Sequence, residues 1–153
     1  MKHLKLLSIF LLCLLLISCN KKEETNITLN EIYNKITKEV ALDEAITMPD
    51  SYLQNNLGIP TNELKEYIYS ISDNPYSAET IIIINTSGYD KVEELKDTLN
   101  MVIENIKFEI ENYNKEEYDY VYASKLKQKN DYLYAVLSRN EEEILKIIED
   151  NIN

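Results

Sequence analysis

The amino-acid sequence predicts an α+β domain over residues 28–153: a four-stranded, mainly antiparallel sheet with helices packed on it, in the order α-β-β-α-β-β-α. Two observations lead to this prediction. Short runs rich in isoleucine, tyrosine and valine, at residues 66–72, 80–86 and 132–138, are typical of strands. Residues 92–113 repeat apolar residues every three or four positions, which is typical of a helix that covers a sheet.

The first helix is expected to begin after Thr28, because Thr28 and Glu31 have the spacing of a capping box. Its apolar residues recur at spacings of three and four and form one stripe: Leu29, Ile32, Tyr33, Ile36 and Val40. A short helical turn over residues 50–56 is expected to end at Gly58, since Pro60 cannot continue a helix.

The next two segments predict a pair of strands. Residues 66–72 alternate, which indicates a strand with one face exposed to water. The other face carries Tyr67, Tyr69 and Ile71. The run Ile81–Ile84 is apolar on both faces and β-branched throughout, so it predicts a central strand. We expect Ile83 in this strand and Leu99 in the long helix to be core positions.

The C-terminal third predicts a hairpin between two helices. Residues 115–122 indicate a second, short helix after the long one. Asn130-Asp131 tolerate the left-handed backbone of a tight turn, which predicts a hairpin leading into the strand at residues 132–138. The last helix is expected to begin after Asn140, with Glu143 three residues on.

Residues 1–18 have the pattern of a secretory signal. Lys2 and Lys5 give a basic start, and Leu6–Ile17 form an apolar run broken only by Ser8. This run is shorter than the roughly 20 residues that a membrane-spanning helix needs. We therefore expect a cleaved signal and no lasting transmembrane anchor.

The end of the apolar run, Leu16-Ile17-Ser18-Cys19, resembles the bacterial lipobox. The resemblance implies cleavage after Ser18 and attachment of diacylglycerol, with palmitate-type acyl chains, to the Cys19 thiol. Residues 19–27 would then be a lipidated N-terminus and flexible tether, and the partner would be the extracytoplasmic face of the cell membrane. The alternative is an ordinary secretory signal in which a cysteine stands at this position by chance.

Composition excludes several classes of function. Removal of residues 1–18 takes away Lys2 and Lys5 but no acidic residue, so the net charge changes from −11 to −13. Such a charge argues against nucleic-acid binding. His3 and Cys13 are lost with the signal and Cys19 is acylated, so no Ser-His-Asp, Cys-His or His- or thiolate-based zinc site can form. We expect no catalytic residue, no cofactor and no metal.

The abundance of Ile, Asn, Lys, Glu and Tyr is typical of an AT-rich, Gram-positive bacterium.

The tyrosines are the best candidates for a binding surface, since the chain has 12 Tyr, 2 Phe and no Trp. Tyrosine joins apolar area to a polar hydroxyl and is favoured at interfaces. The predicted interaction surface consists of Tyr118, Tyr120, Tyr122, Tyr132 and Tyr134. The alternative is that these side chains only pack on half-buried strands.

Two clusters of acidic residues resemble parts of known kinds of site. Glu141–Glu143 resemble ligands for a hard cation, but acids at a helix start also complement the helix dipole, and no calcium-type loop accompanies them. Glu116 and Glu117 with Asp119 resemble the acid pair of a glycosidase, but such a pair needs a cleft and one raised pKa. We interpret both groups as solvated helix charges.

Residues 48–150 resemble a family of bacterial lipoproteins catalogued as domain of unknown function 4358. The resemblance is carried by three stretches: Tyr52-Leu53 through Leu57-Gly58-Ile59 to Leu64–Tyr67; Ala78-Glu79 before Ile81–Ile84; and Tyr118–Val121 before Asp131-Tyr132. Asn114 or Lys115 stands where the family has a proline, and Asn130 where the hairpin glycine usually lies. The resemblance implies a lipid-anchored envelope protein and supplies no catalytic residue.

Together these observations predict a non-enzymatic binding or interaction module at the cell envelope, with an unknown envelope protein or cell-wall ligand as its partner. The alternative is a carboxylate-based hydrolase that acts on cell-wall material. The absence of histidine and free cysteine from the mature chain favours the binding module.

Overall fold

The computed structural model of the protein describes residues 27–152. The predicted signal peptide, the cleavage position Ser18 and the lipidation site Cys19 lie outside this range. Within it, the fold is α+β, as predicted, with five α-helices and five strands. Their bounds are α1 Leu29–Glu39, β1 Ala45–Thr47, α2 Asp50–Leu57, β2 Glu66–Ser72, β3 Thr80–Asn85, α3 Val92–Tyr113, α4 Lys115–Val121, β4 Lys127–Lys129, β5 Tyr132–Leu137 and α5 Glu141–Asn151.

The five strands form one sheet in the order β1-β2-β3-β5-β4, and every neighbouring pair is antiparallel. The isoleucine-rich β3 lies at the centre, as predicted, and every one of its residues is buried. Ile83 is paired with Ile68 on β2 and with Tyr134 on β5. A strand that is apolar on both faces is stable only where both faces are covered, which accounts for its central position.

The prediction of four strands in the order α-β-β-α-β-β-α is wrong in one respect, because a fifth strand, β1, precedes the pair formed by β2 and β3. β1 has three residues, Ala45–Thr47, all of them exposed. It pairs with Ser70–Ser72 at the edge of the sheet. A strand with no buried side chain leaves no hydrophobic pattern in the sequence, so periodicity does not detect it.

Helices cover both faces of the sheet and create two hydrophobic cores. On one face α2, α3 and α4 pack over Ile82 and Ile84. On the other face α1 and α5 pack over Ile81 and Ile83. Ile83 and Leu99 are both fully buried, as predicted, but they lie in different cores because alternate residues of β3 point to opposite faces.

The predicted water-exposed face of β2 is instead covered by α1. Ile68 and Ser70 on this face are 3% and 2% exposed. The hydroxyl oxygens of Ser70 and Tyr33 on α1 lie 2.6 Å apart. A serine that hydrogen-bonds to a covering helix looks like a surface residue in the sequence, which is why the prediction failed here.

Local capping follows the predicted signals. Thr28 and Glu31 form the capping box, with the Thr28 hydroxyl accepting the Glu31 N–H and the Glu31 carboxylate accepting the Thr28 N–H. α2 ends at Gly58, whose φ of 69° is left-handed. Asn130 takes the hairpin turn with φ 50°.

The two ends of the sheet differ in what they hold. At the end that we call the entry end, the Leu29 N–H donates to Glu66, the first residue of β2, over 2.8 Å. Glu66 is opposite Asn85, the last residue of β3. At the other end, the cleft end, Thr80 of β3 is opposite Leu137 of β5. The loops that follow β2 and β5 meet there.

Candidate functional site

A polar cleft of about 360 Å³ lies at the cleft end of the sheet. Three loops and the start of α4 form its walls. Its lining includes Asp43, Tyr76, Glu79, Asn114, Glu117 and Arg139. We call this cavity the Arg139 cleft. The loops are brought together because β2 and β5 end, and β3 begins, at the cleft end of the sheet.

Arg139, the only arginine of the chain, is fixed by an ion pair with Glu117. Its Nε donates to Glu117 Oε1 over 2.6 Å, and its Nη2 lies 2.5 Å from the same oxygen and 3.3 Å from Glu116 Oε1. The Glu117 side chain is 10% exposed and that of Arg139 49%. The hydrogen bond that Arg139 donates to Glu117 raises the pKa of Arg139, so the guanidinium stays charged. The pair ties α4 to the loop before α5.

Glu117 also holds the loop that precedes β3. Its Oε2 accepts the N–H of Ala78 over 3.4 Å. Asn114 caps α4 by accepting the Glu117 N–H, and its Nδ2 donates to the Tyr76 carbonyl over 2.9 Å. These contacts fix the backbone on which Tyr76 stands. One wall of the cleft is therefore rigidly positioned by the start of α4.

Glu79 is the half-buried carboxyl of the cleft, and both of its oxygens accept hydrogen bonds. Oε1 accepts the Asp43 N–H over 2.9 Å, and Oε2 accepts the Ser138 hydroxyl over 3.2 Å. Burial raises the pKa of Glu79; its two hydrogen bonds oppose this, while the charges of Asp43 and Glu117 add to it. Glu79 therefore binds a proton at a higher pH than an ordinary glutamate.

Exposed tyrosine rings lie at the cleft and beside it. Tyr76, which lines the cleft, is 62% exposed; Tyr120, which is 47% exposed, lines a neighbouring cavity that shares Arg139 and Asn140 with the cleft. The Arg139 Cζ lies 4.5 Å from the centre of the Tyr120 ring, a cation–π contact. A second cavity of about 350 Å³ shares Glu79 with the first and is lined on its far side by Tyr113, which is 74% exposed. Fixed polar groups in the cleft thus lie next to tyrosine rings that are exposed and not buried in either core.

The predicted tyrosine surface is divided between the two faces of the sheet. Tyr118 packs on the core under α3, with its ring 6.2 Å from that of Tyr122. Tyr134 is buried in the opposite core, where its hydroxyl donates to Glu149 over 3.1 Å, and Tyr132 is half-buried beside it. Burial and Glu149 raise the pKa of Tyr134 to about 12. Only Tyr120 and Tyr122 are exposed, and of the five only Tyr120 touches Arg139.

The predicted acidic residues lie on α4 and α5, but Glu117 is 8% exposed and ion-paired, so its interpretation as a solvated helix charge is wrong. Glu141 to Glu143 occupy the first turn of α5, and Glu141 accepts the Ser124 hydroxyl over 2.9 Å. Glu116 and Glu117 both contact Arg139, while Asp119 is exposed. Among residues 27–152 no group of three or more Asp, Glu, His or Cys side chains is arranged to hold a metal ion.

No motif or spacing in the sequence singles out Tyr76, Glu79 or Arg139 for a site. The contacts of Glu79 come from Asp43 and Ser138, which lie 36 and 59 positions away. No local spacing encodes such contacts. The one usable signal was the single arginine in a chain rich in acids, since a lone guanidinium is readily paired with a carboxylate.

The fold and the cleft define a class: a small α+β domain with a five-stranded antiparallel sheet between two helical layers. Residues 38–138 match the family described as Domain of unknown function (DUF4358), and the chain belongs to this family. The matched residues contain all five strands and helices α2, α3 and α4. No curated protein and no solved structure matches the chain. Within the described part of the chain, no helix has the length and apolar character needed to cross a membrane.

Proposed function

We propose that the protein is a lipid-anchored, extracytoplasmic binding module of the cell envelope, and that the Arg139 cleft holds its ligand. The anchor is the diacylglycerol expected on Cys19 after cleavage behind Ser18. Two acyl chains are sufficient for stable attachment to a membrane. The observation that carries the proposed ligand site is the exposed Tyr76 ring at a cavity with fixed polar groups, beside the exposed Tyr120 ring that lies on Arg139.

The polar groups of the cleft are held in place before any ligand arrives. Arg139 is fixed by Glu117 and the Tyr120 ring, and the Tyr76 backbone is fixed by Asn114. Groups that are already ordered lose little side-chain entropy on binding, so more of the contact energy contributes to affinity. Amides, carboxylates and one guanidinium beside flat rings suit a ligand with hydroxyl and amide groups, such as the sugars and peptides of cell-wall material.

A carboxylate-based hydrolase that acts on cell-wall material is the second candidate, and Glu79 is the observation that favours it. A general acid needs a raised pKa and a position in a cleft, and Glu79 has both. However, both Glu79 oxygens accept hydrogen bonds from Asp43 and Ser138, as expected of a residue that organises loops. Release of soluble fragments from purified walls, lost in Glu79→Gln, would favour the hydrolase.

Sedimentation with insoluble cell-wall material tests the binding module. We expect detergent-solubilised, lipidated protein to sediment with the walls, and Tyr76→Ala to weaken this binding about tenfold, or about 1.4 kcal/mol. Tyr122→Ala is the matched control, because Tyr122 is 61% exposed but lines neither cavity. Equal binding by the two variants would contradict the proposed site. Cross-linking in cells followed by capture of the lipidated protein tests for an envelope protein as the partner instead.

A further inference from the structure

The chain enters the domain at the end of the sheet opposite to the Arg139 cleft. The N-cap Thr28 and the first residue of α1 lie at the entry end, where the Leu29 N–H donates to Glu66. α1 then runs along the sheet toward the other end. Just beyond it, the Ala41 carbonyl accepts a hydrogen bond from Asn140 Nδ2 over 2.7 Å, and both residues line the cleft.

The distance between the two ends follows from the lengths of the elements. β3 has six residues and spans the sheet from Thr80 to Asn85, which corresponds to about 20 Å. α1 has 11 residues and covers about 16 Å in the same direction. The cleft is therefore about 20 Å from the point at which the tether joins the domain.

The tether limits how far the entry end can lie from a membrane. Cys19 precedes Thr28 by fewer than ten residues, and a chain of that length reaches about 30 Å even when fully extended. An anchor at Cys19 thus keeps the entry end within about 30 Å of the lipid headgroups, while the cleft end, about 20 Å further along the domain, can lie farther from them.

We infer that the anchored domain stands with the Arg139 cleft turned away from the bilayer, so that the cleft receives a saccharide–peptide polymer of the cell wall and not a lipid headgroup. This inference rests on the proposed function, because it uses the anchor at Cys19 and the cleft as the ligand site. The topology adds the direction from which the ligand arrives.

Energy transfer to the membrane surface tests the orientation without any ligand. Lipidated protein in vesicles with headgroup-labelled acceptor lipid would carry one fluorophore, at Lys65→Cys beside the entry end or at Glu142→Cys at the cleft end; both positions are exposed. We expect the transfer efficiency to fall when the fluorophore moves from position 65 to position 142. Equal or higher transfer from position 142 would overturn the inference. The same labels on Cys19→Ala protein give the level of transfer without an anchor.

A second measurement separates the orientation from the proposed binding activity. Wall fragments added to the vesicle-bound protein should change the emission of the fluorophore at position 142 and not that at position 65. Lower transfer from position 142 than from position 65, with no response to wall fragments, would refute the wall ligand but leave the orientation in place. A response to anionic vesicles by unlipidated Cys19→Ala protein, lost in Tyr76→Ala, would identify a headgroup ligand and overturn the inference.

Discussion

Replacement of Arg139 by alanine should leave a carboxylate without its cation inside the cleft. The Glu117 side chain is 10% exposed, and its Oε1 oxygen receives the Nε–H of Arg139 over 2.6 Å. In Arg139→Ala this oxygen keeps its burial but loses its charged partner. The backbone N–H of Ala78 remains bound to the other oxygen.

The magnitude of the loss follows from the two limits for ion pairs. Removal of one partner of a fully buried pair costs about 3–5 kcal/mol, whereas an exposed pair contributes about 1 kcal/mol or less. The Arg139 side chain is 49% exposed, so water reaches the vacated space and solvates Glu117. We therefore expect a loss of about 1–3 kcal/mol in the free energy of unfolding, or a fall of about 4–12 °C in Tm.

Urea unfolding followed by circular dichroism at neutral pH measures this loss. Arg139→Lys is the matched control, because it keeps the charge but loses the planar guanidinium that reaches Glu117 and Glu116 together, and it should be destabilised less than Arg139→Ala. In a double-mutant cycle with Glu117→Ala, the two losses should not add, with a coupling of about 1 kcal/mol. An Arg139→Ala protein that melts within about 1 °C of the wild type would refute the view that the pair holds α4 in place.

Three further predictions concern the anchor, the core and the cleft. Cys19→Ala should abolish metabolic labelling with palmitate and leave an unprocessed or released protein; labelling that persists would exclude the lipobox. Leu99→Ala should cost about 2–5 kcal/mol in thermal or urea unfolding because Leu99 is fully buried, whereas Met101→Ala on the same helix, where the side chain is 64% exposed, should cost little. Since burial raises the pKa of Glu79 above 4.5, the native state binds its proton more tightly than the unfolded chain. Stability should fall as the pH rises from 4.5 through that raised pKa, and Glu79→Gln should remove this slope.

The fold could be predicted where a local pattern has one structural solution. Ile81–Ile84 are apolar on both faces and can only be a covered strand, and β3 is the central strand. Thr28 and Glu31 carry a local signal that sets the start of α1. β1 has no such signal, because its three residues are exposed and form a strand only by pairing with β2. Ser70 was misread because α1, a segment distant in sequence, covers it.

The candidate site was less predictable because its members come from four separate segments. Asp43, Glu79, Glu117 and Arg139 become neighbours only when the strands have paired. Of the five tyrosines that the sequence predicts for a binding surface, Tyr120 lies on Arg139. Tyrosine content does not distinguish Tyr134, which is 3% exposed, from Tyr76, which is 62% exposed, because residue type alone does not report which face of a sheet a helix covers.

The shortness of the two outer strands has a consequence for crowding on a surface. β1 and β4 each have three residues, and β4 carries Lys127 and Lys129. Long, flat edge strands recruit strands from neighbouring molecules, and short or charged edges resist this. If the protein is anchored as proposed, its copies share a two-dimensional layer in which they collide far more often than in solution. A sheet that ends on both sides in three residues offers those copies little backbone on which to build an aggregate.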